Sequence, residues 1–209
     1  MEEAKRLEAE LVISHHPLMF RPIQRIREED YEGAIISELI RSGICLISAH
    51  TNLDQSTIYS GSAVLANSLN LVNTCWQGFV IAGDLPDAPI SAKELRERIA
   101  AIEGESVYQY GPENASISTL AICGGAYDEG FQEAISIGAQ AYLTGEVRHH
   151  NALAAIASNL ILYQGGHLGT EQVLVKPLAN ALQKRMNELK YNICVYPSEC
   201  YSYGSRGTY

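Results

Sequence analysis

Six histidines, each near a carboxylate or another imidazole, carry most of the chemistry this chain can offer. His15 and His16 are adjacent and are followed by Pro17. His50 has Asp54 four residues on, in His50-Thr51-Asn52-Leu53-Asp54. His149 and His150 form a second pair, with Glu146 four residues ahead of His150. His167 lies in Gly165-Gly166-His167-Leu168-Gly169-Thr170-Glu171, again with a carboxylate at a spacing of four. Neutral imidazoles and carboxylates are ligands that zinc, manganese and ferrous iron all accept. On a helix, a spacing of four sets the two side chains on one face, about 6 Å apart. Plainer readings exist for each cluster. His-His-Pro also suits a strand end with one solvated and one capping histidine, and His50 with Asp54 a hydrogen-bonded loop. His149 and His150 suit the polar start of a helix, where Glu146 favours the dipole.

What these residues share is their position relative to the elements. Apolar runs at Leu11 to Ser14, Ile44 to Ser48, Phe79 to Ala82, Ser116 to Cys123, Ala141 to Thr144, Leu160 to Tyr163 and Asn192 to Tyr196 predict strands. Apolar spacings of three and four predict helices over Tyr31 to Ser42, Ser62 to Leu69, Ala92 to Ile102, Phe131 to Ile137 and Thr170 to Leu189. Ser91 with Glu94 reads as a capping box, and Gly138 as a helix stop. Every histidine then falls just past the carboxyl end of a strand, the rim where ligands bind in open α/β sheets. The expected fold is α/β, with two intertwined halves and largely parallel sheets. A soft boundary in the loop Gly83 to Pro89 separates residues 1–83, with the His-His-Pro and Asp blocks, from residues 84–209, with the His-x-x-x-Glu block.

Composition sets limits on partners. Apolar residues make up 46% and charged residues 19%, an ordinary globular mixture. A net charge of −9 argues against general nucleic-acid binding, although bound cations would reverse the sign inside one pocket. No apolar run is long enough to span a bilayer, and the charged stretch Met1 to Glu10 is no secretory signal, so a cytoplasmic location is expected. Cys45, Cys75, Cys123, Cys194 and Cys200 include no C-x-x-C pair, and three lie in strand-like runs, so buried free thiols are expected.

Four blocks in order, Ser14 to Phe20, Ala49 to Asp54, Leu143 to Glu146 and Gly166 to Glu171, resemble the signature blocks of the GTP cyclohydrolase I type 2 homologues, the Nif-three-like dinuclear metal-centre proteins. The resemblance implies two divalent ions, zinc, iron or manganese, held by His15, His16, Asp54, His167 and Glu171. It implies that His50, Glu146 and His150 line the cavity as outer-sphere or proton-transfer groups, and that the assembly is a toroidal homohexamer. Family members usually begin with a further strand and helix carrying a Trp-Asp-Asn block ahead of the helix that starts here at Met1, so a central strand is expected to be missing. Members also often carry a longer glycine run where Gly124-Gly125-Ala126-Tyr127 stands here. The chemistry that follows is metal-dependent hydrolysis of a small molecule, possible substrates being a nucleotide, a phosphoester or a cyclic amide. The alternative is a metal-binding or metal-trafficking scaffold without turnover, or a protein-interaction hub.

Overall fold

The computed structural model of the protein describes residues 1–103 and 106–199, so Cys200 and the Tyr-, Ser- and Gly-rich tail lie outside the described residues. The chain divides into two compact units. The first is Met1–Leu53, joined by Ser198 and Glu199 of the described residues, and the second is Asp54–Pro197. The division falls upstream of the soft boundary at Gly83 because Val80–Asp84 is a strand bonded into the second unit's main sheet.

In the first unit, α1 (Glu2–Arg6) precedes β1 (Leu11–Ser14), and α2 (Tyr31–Ser42) connects β1 to β2 (Cys45–Ser48). The two strands are parallel, with Leu11 opposite Cys45 and Ser14 opposite Ser48. A parallel pair needs such a crossover, since a tight turn cannot return the chain in the same direction. The helix ends at Gly43, whose left-handed φ of 66° lets its N–H reach back to the Ile40 carbonyl. Gly33 packs against the backbone of Arg27 with no space for a Cβ, which pins the loop between β1 and α2 to the helix. Among the described residues, Leu39 and Ile44 are the buried apolar side chains of this unit, whereas Leu11, Ile13 and Ile47 are exposed.

The short helix α3 (Thr51–Asp54) leads into the second unit. There follow α4 (Gly61–Ser68), β3 (Val72–Gln77), β4 (Val80–Asp84), β5 (Ile90–Ser91), α5 (Ala92–Glu103), β6 (Tyr108–Tyr110), β7 (Ser116–Ile117) and β8 (Thr119–Cys123). After a 3-10 turn at Asp128–Gly130 come α6 (Phe131–Ile137), β9 (Ala141–Thr144), α7 (His149–Ala157), β10 (Ile161–Gln164), α8 (His167–Gln172) and α9 (Val175–Glu188). Six strands form one sheet in the order β3-β4-β8-β9-β10-β6. Its centre, β8-β9-β10, is parallel, as is β1-β2, and antiparallel strands flank it. Both faces are covered. Leu120, Ile122, Leu143 and Tyr163 pack on one side with Leu95 and Ile99 of α5. Ala121, Tyr142 and Leu162 pack on the other with Phe131 of α6 and Ala152 and Ala155 of α7. Burial on two sides is why the central strands read as unbroken apolar runs.

The α/β class and most elements match the sequence reading, and the differences have local causes. Asn192 to Tyr196 is not a strand: its backbone bonds to the Gln183 carboxamide, from the Ile193 carbonyl and the Val195 N–H, and its side chains are largely exposed. The helix expected over Thr170 to Leu189 is two helices, because Pro177 has no N–H to offer the Val173 carbonyl and α9 restarts at Val175. The described cysteines are free, but only Cys123 is buried. Cys45, Cys75 and Cys194 are exposed, since β2 and β3 present open faces and Cys194 is not in a strand. No helix among the described residues is long and apolar enough to cross a membrane.

The start of α7 is anchored by Asp128, whose carboxylate accepts from the Arg148 backbone N–H at 2.8 Å, the Arg148 guanidinium at 2.9 Å and the Asn151 amide at 2.9 Å. Burial alone would raise this carboxyl, but Arg148 and Asn151 outweigh it and hold it down at about 2. A lowered folded-state value contributes stability above the unfolded value near 3.8 that is lost as pH falls towards 2. Asp128→Asn should therefore lower the melting temperature at pH 7 by about 2–6 °C, allowing for the half-exposed guanidinium. The gap to the unsubstituted protein should close in melts below pH 3, the range set by the value of about 2.

Candidate metal centre

Three parallel strands of the second unit end in glycine, and their ends are laced together. The Gly145 and Glu146 N–H groups donate to the Gly125 carbonyl at 2.8 and 3.2 Å, and the Gly166 N–H to the Gly145 carbonyl at 3.0 Å. Buried Thr170 ties the set: its hydroxyl accepts from the Gly125 N–H at 3.0 Å and has the Gly166 carbonyl at 2.9 Å. A Cβ on Gly145 would stand 2.6 Å from the Gly125 oxygen and 2.8 Å from the Thr170 hydroxyl, so only glycine fits there. Gly125 has φ of 71°, and a Cβ on it would run into the Glu171 carboxylate.

This close approach positions His167 and Glu171. His167 is the first residue of α8, Glu171 is one turn later, and His167 Nε2 is 3.1 Å from Glu171 Oε1. On the opposite side of the ring, Nδ1 donates to Glu146 Oε1 at 2.6 Å. The Glu171 carboxylate is the larger influence raising His167, burial opposes it, and Glu146 adds to it, bringing the imidazole to about 9. The geometry equally suits a shared cation. Two ligand atoms each about 2.0–2.2 Å from one ion are separated by about 3 Å when they occupy neighbouring positions, and the Nδ1–H···carboxylate bond is the usual outer partner of a metal-bound imidazole. Asp54 ends α3 and is half-buried. Burial pushes the Cys123 thiol at the end of β8 up to about 12, opposed by the Ser62 hydroxyl and reinforced by the nearby Asp54 carboxylate.

In the first unit, His15, His16 and His50 gather at the ends of β1 and β2. Their ring centroids lie 5.1–5.4 Å apart, and one nitrogen from each lies within 4.8 Å of the others, close enough to hold one ion. The ladder extends past the strands through the Ala49 N–H to the Ser14 carbonyl at 2.9 Å. It brings the Ala49 carbonyl to 2.8 Å from His15 Nδ1. A carbonyl only accepts, so Nδ1 carries the proton and the lone pair of His15 is on Nε2. Ser14 Oγ donates to the His16 carbonyl at 2.8 Å and holds the turn that separates the two rings.

The residues read from the sequence therefore sort into groups. His15, His16 and His50 form one cluster, and His50 stands with the candidate ligands. Glu146, His167 and Glu171 form another. His149 and His150 begin α7 and are exposed, and the groups of possible ligands among the described residues do not include them. Thr170 and the close packing of Gly125, Gly145 and Gly166 are what the sequence reading lacks; the signal is a glycine soon after each of three strand-like runs ending at Cys123, Thr144 and Tyr163.

Residues 1–202 match the family described as Duf34/NIF3 (NGG1p interacting factor 3). The chain is 32% identical over 204 residues to a protein of Nostoc sp. named GTP cyclohydrolase 1 type 2 homolog, covering 90% of this chain and 73% of that one. It is 29% identical over 192 residues to a protein of the same name from Streptomyces coelicolor, covering 82% of this chain and 65% of that one, less than two thirds of its length. Among solved structures, the Staphylococcus aureus hypothetical protein SA1388 shares the fold, with a TM-score of 0.90 at 24% identity over 100% of this chain and 82% of that one.

In protein stripped of metal by a chelator, His167 should titrate near 9 by NMR, because both flanking carboxylates favour its charged form. The stability this adds is complete below the ordinary imidazole value of 6.5 and is lost as pH rises through about 9. Gly125→Ala, which drives the Glu171 carboxylate aside, should move that titration down towards the ordinary range. The control Gly138→Ala has no atom within 4 Å of the new Cβ and should leave it in place.

Proposed function

This chain belongs to the Duf34/NIF3 family, and from that membership we propose a dinuclear divalent-metal protein that hydrolyses a small molecule. In this reading His15, His16, Asp54, His167 and Glu171 hold two ions, which are zinc, iron or manganese. The observation that carries it is the His167 ring between Glu146 and Glu171, one side fixed by a carboxylate and the other turned to a second carboxylate at 3.1 Å. Asp54 and Glu171 would be the carboxylate ligands of such a pair, which, when bound, would supply Lewis acidity and lower the pKa of a bound water.

The chain's own residues supply orientation and proton handling. Glu146 keeps the proton of His167 on Nδ1, so the lone pair stays on Nε2. The Ala49 carbonyl does the same for His15. His50, clustered with His15 and His16, would serve as the imidazole that takes up or returns a proton. The names of the relatives put purine nucleotides first among substrates to test. The proposed assembly is a homohexamer.

The second reading is a metal carrier or scaffold without turnover. The exposure of His149 and His150 on α7 favours it, since it leaves fewer proton-transfer groups beside the ligands. Both readings share a first measurement, metal per chain by elemental analysis of the protein as purified. About two equivalents are expected, falling to one or fewer in His167→Ala and in Asp54→Ala. Hydrolysis of GTP or another nucleotide that disappears on chelation and returns with metal supports the enzyme. Two equivalents with no hydrolysis across a nucleotide panel supports the carrier, and no uptake of zinc, iron or manganese overturns both.

A further inference from the structure

Helix α8 carries His167 and Glu171 on only six residues. A helix that short does not sustain itself and depends on what packs against it. Its N-cap is Gly166, which has no side chain to offer the first turn, so the ends must be held from outside. Part of that support comes from close backbone approach. A Cβ on Gly61 or Gly124 would stand 2.5 or 3.0 Å from the Thr170 carbonyl, so α8 rests directly on the start of α4 and the end of β8.

The other support is a side chain that the ligand set does not use. Glu103 is the last residue of α5. Glu103 and Asp128 are the buried acidic side chains among the described residues, and Glu103 is the deeper, at 2% exposed. Burying so polar a group costs stability, and its neighbours here lie at both ends of α8. Both carboxyl oxygens lie over Gly165, two residues ahead of His167; a Cβ on Gly165 would run into them, with Oε1 at 2.7 Å. The Gly165 N–H is tied to the Thr144 carbonyl at 2.9 Å, so the strand end holds this residue while the carboxyl group presses on it. At the far end, the carboxamide of Gln172, the last residue of α8, donates to the Glu103 main-chain carbonyl at 3.3 Å.

We infer that Glu103 is a positioning residue for the candidate metal ligands: by bracing Gly165 and Gln172 it sets where α8 begins and ends, and hence where His167 and Glu171 stand. Its effect on metal rests on the proposed function. Its effect on the hydrogen bond between His167 Nδ1 and Glu146 does not, because that bond is made by the chain alone.

The test compares the full unsubstituted chain with Glu103→Ala, Glu103→Gln, Gly165→Ala and the double variant Glu103→Ala/Gly165→Ala. Gly165 is outside the left-handed region, so its alanine variant probes the contact rather than the backbone. Two quantities are read at one pH and at a temperature where every form is folded. One is zinc affinity by competition with a chromophoric chelator. The other is the His167 Nδ1 shift in metal-stripped protein labelled with 15N-histidine. Glu103→Ala removes the brace and Gly165→Ala pushes a methyl into it, so each should weaken zinc about tenfold and displace the shift. Glu103→Gln, of the same shape, should keep both near the unsubstituted values. The double variant, in which the methyl occupies space the carboxyl group has left, should recover most of both losses, as contacting residues are not additive. Lowered melting temperatures with affinity and shift unmoved would make Glu103 merely structural and overturn the inference, as would additive losses in the double variant. Failure of every form to take up zinc, with the shift moving as expected, would sink the metal reading and leave the positioning role standing.

Discussion

The second unit's half of the site depends on the closeness with which three parallel strands can end. With a side chain at Gly145, the carbonyl of Gly125 and the hydroxyl of Thr170 would be pushed outward. The Gly125–Glu171 contact and the start of α8 at His167 both hang on that spacing. The strands themselves are held by burial on both faces, so the apolar core fixes their axes and the glycines fix how near their ends can come. An imidazole and a carboxylate are thus placed by backbone, which reorganises far less than side chains do.

Electrostatics then acts on what the backbone has placed. Two carboxylates beside one imidazole are a concentration of negative charge that needs a cation. In the metal-free chain that cation is a proton, and a divalent ion between His167 and Glu171 would substitute for it with more charge. A metal at this position would compete with the proton for one nitrogen, and its affinity would be tied to pH through it. In the first unit a backbone carbonyl, that of Ala49, holds the proton of His15 on Nδ1.

Much of this was legible in the sequence because it rests on short-range rules. A histidine at a strand end, with a carboxylate at a spacing of four, fixes His167 and Glu171 on one turn whatever else the chain does. The partnership of Glu146 with His167 is different. It joins residues 21 apart and follows from β9 lying beside β10, which periodicity does not reveal. His150 has the right type and spacing but points from an exposed helical turn. Strands β3 and β6 escaped notice because they are sheet edges, Val72 to Gln77 being largely polar and exposed and Tyr108 to Tyr110 only three residues long. The last segment misled in the opposite way: Asn192 to Tyr196 has strand composition, yet one glutamine side chain occupies the backbone groups a neighbour would need.

The thin interior of the first unit has a consequence in time rather than in space. Its two-stranded sheet leaves Leu11, Ile13 and Ile47 in water and is backed by few buried side chains among the described residues, whereas β9 is buried along its whole length and β8 at every residue but Thr119. Amide hydrogens of β1 and β2 are therefore set to exchange through frequent local opening, and those of β8 to β10 only through rarer, larger events. The three imidazoles of the first unit ride on the faster of these two clocks. An ion held by His15, His16 and His50 would gain and lose its ligands at the pace of that small sheet.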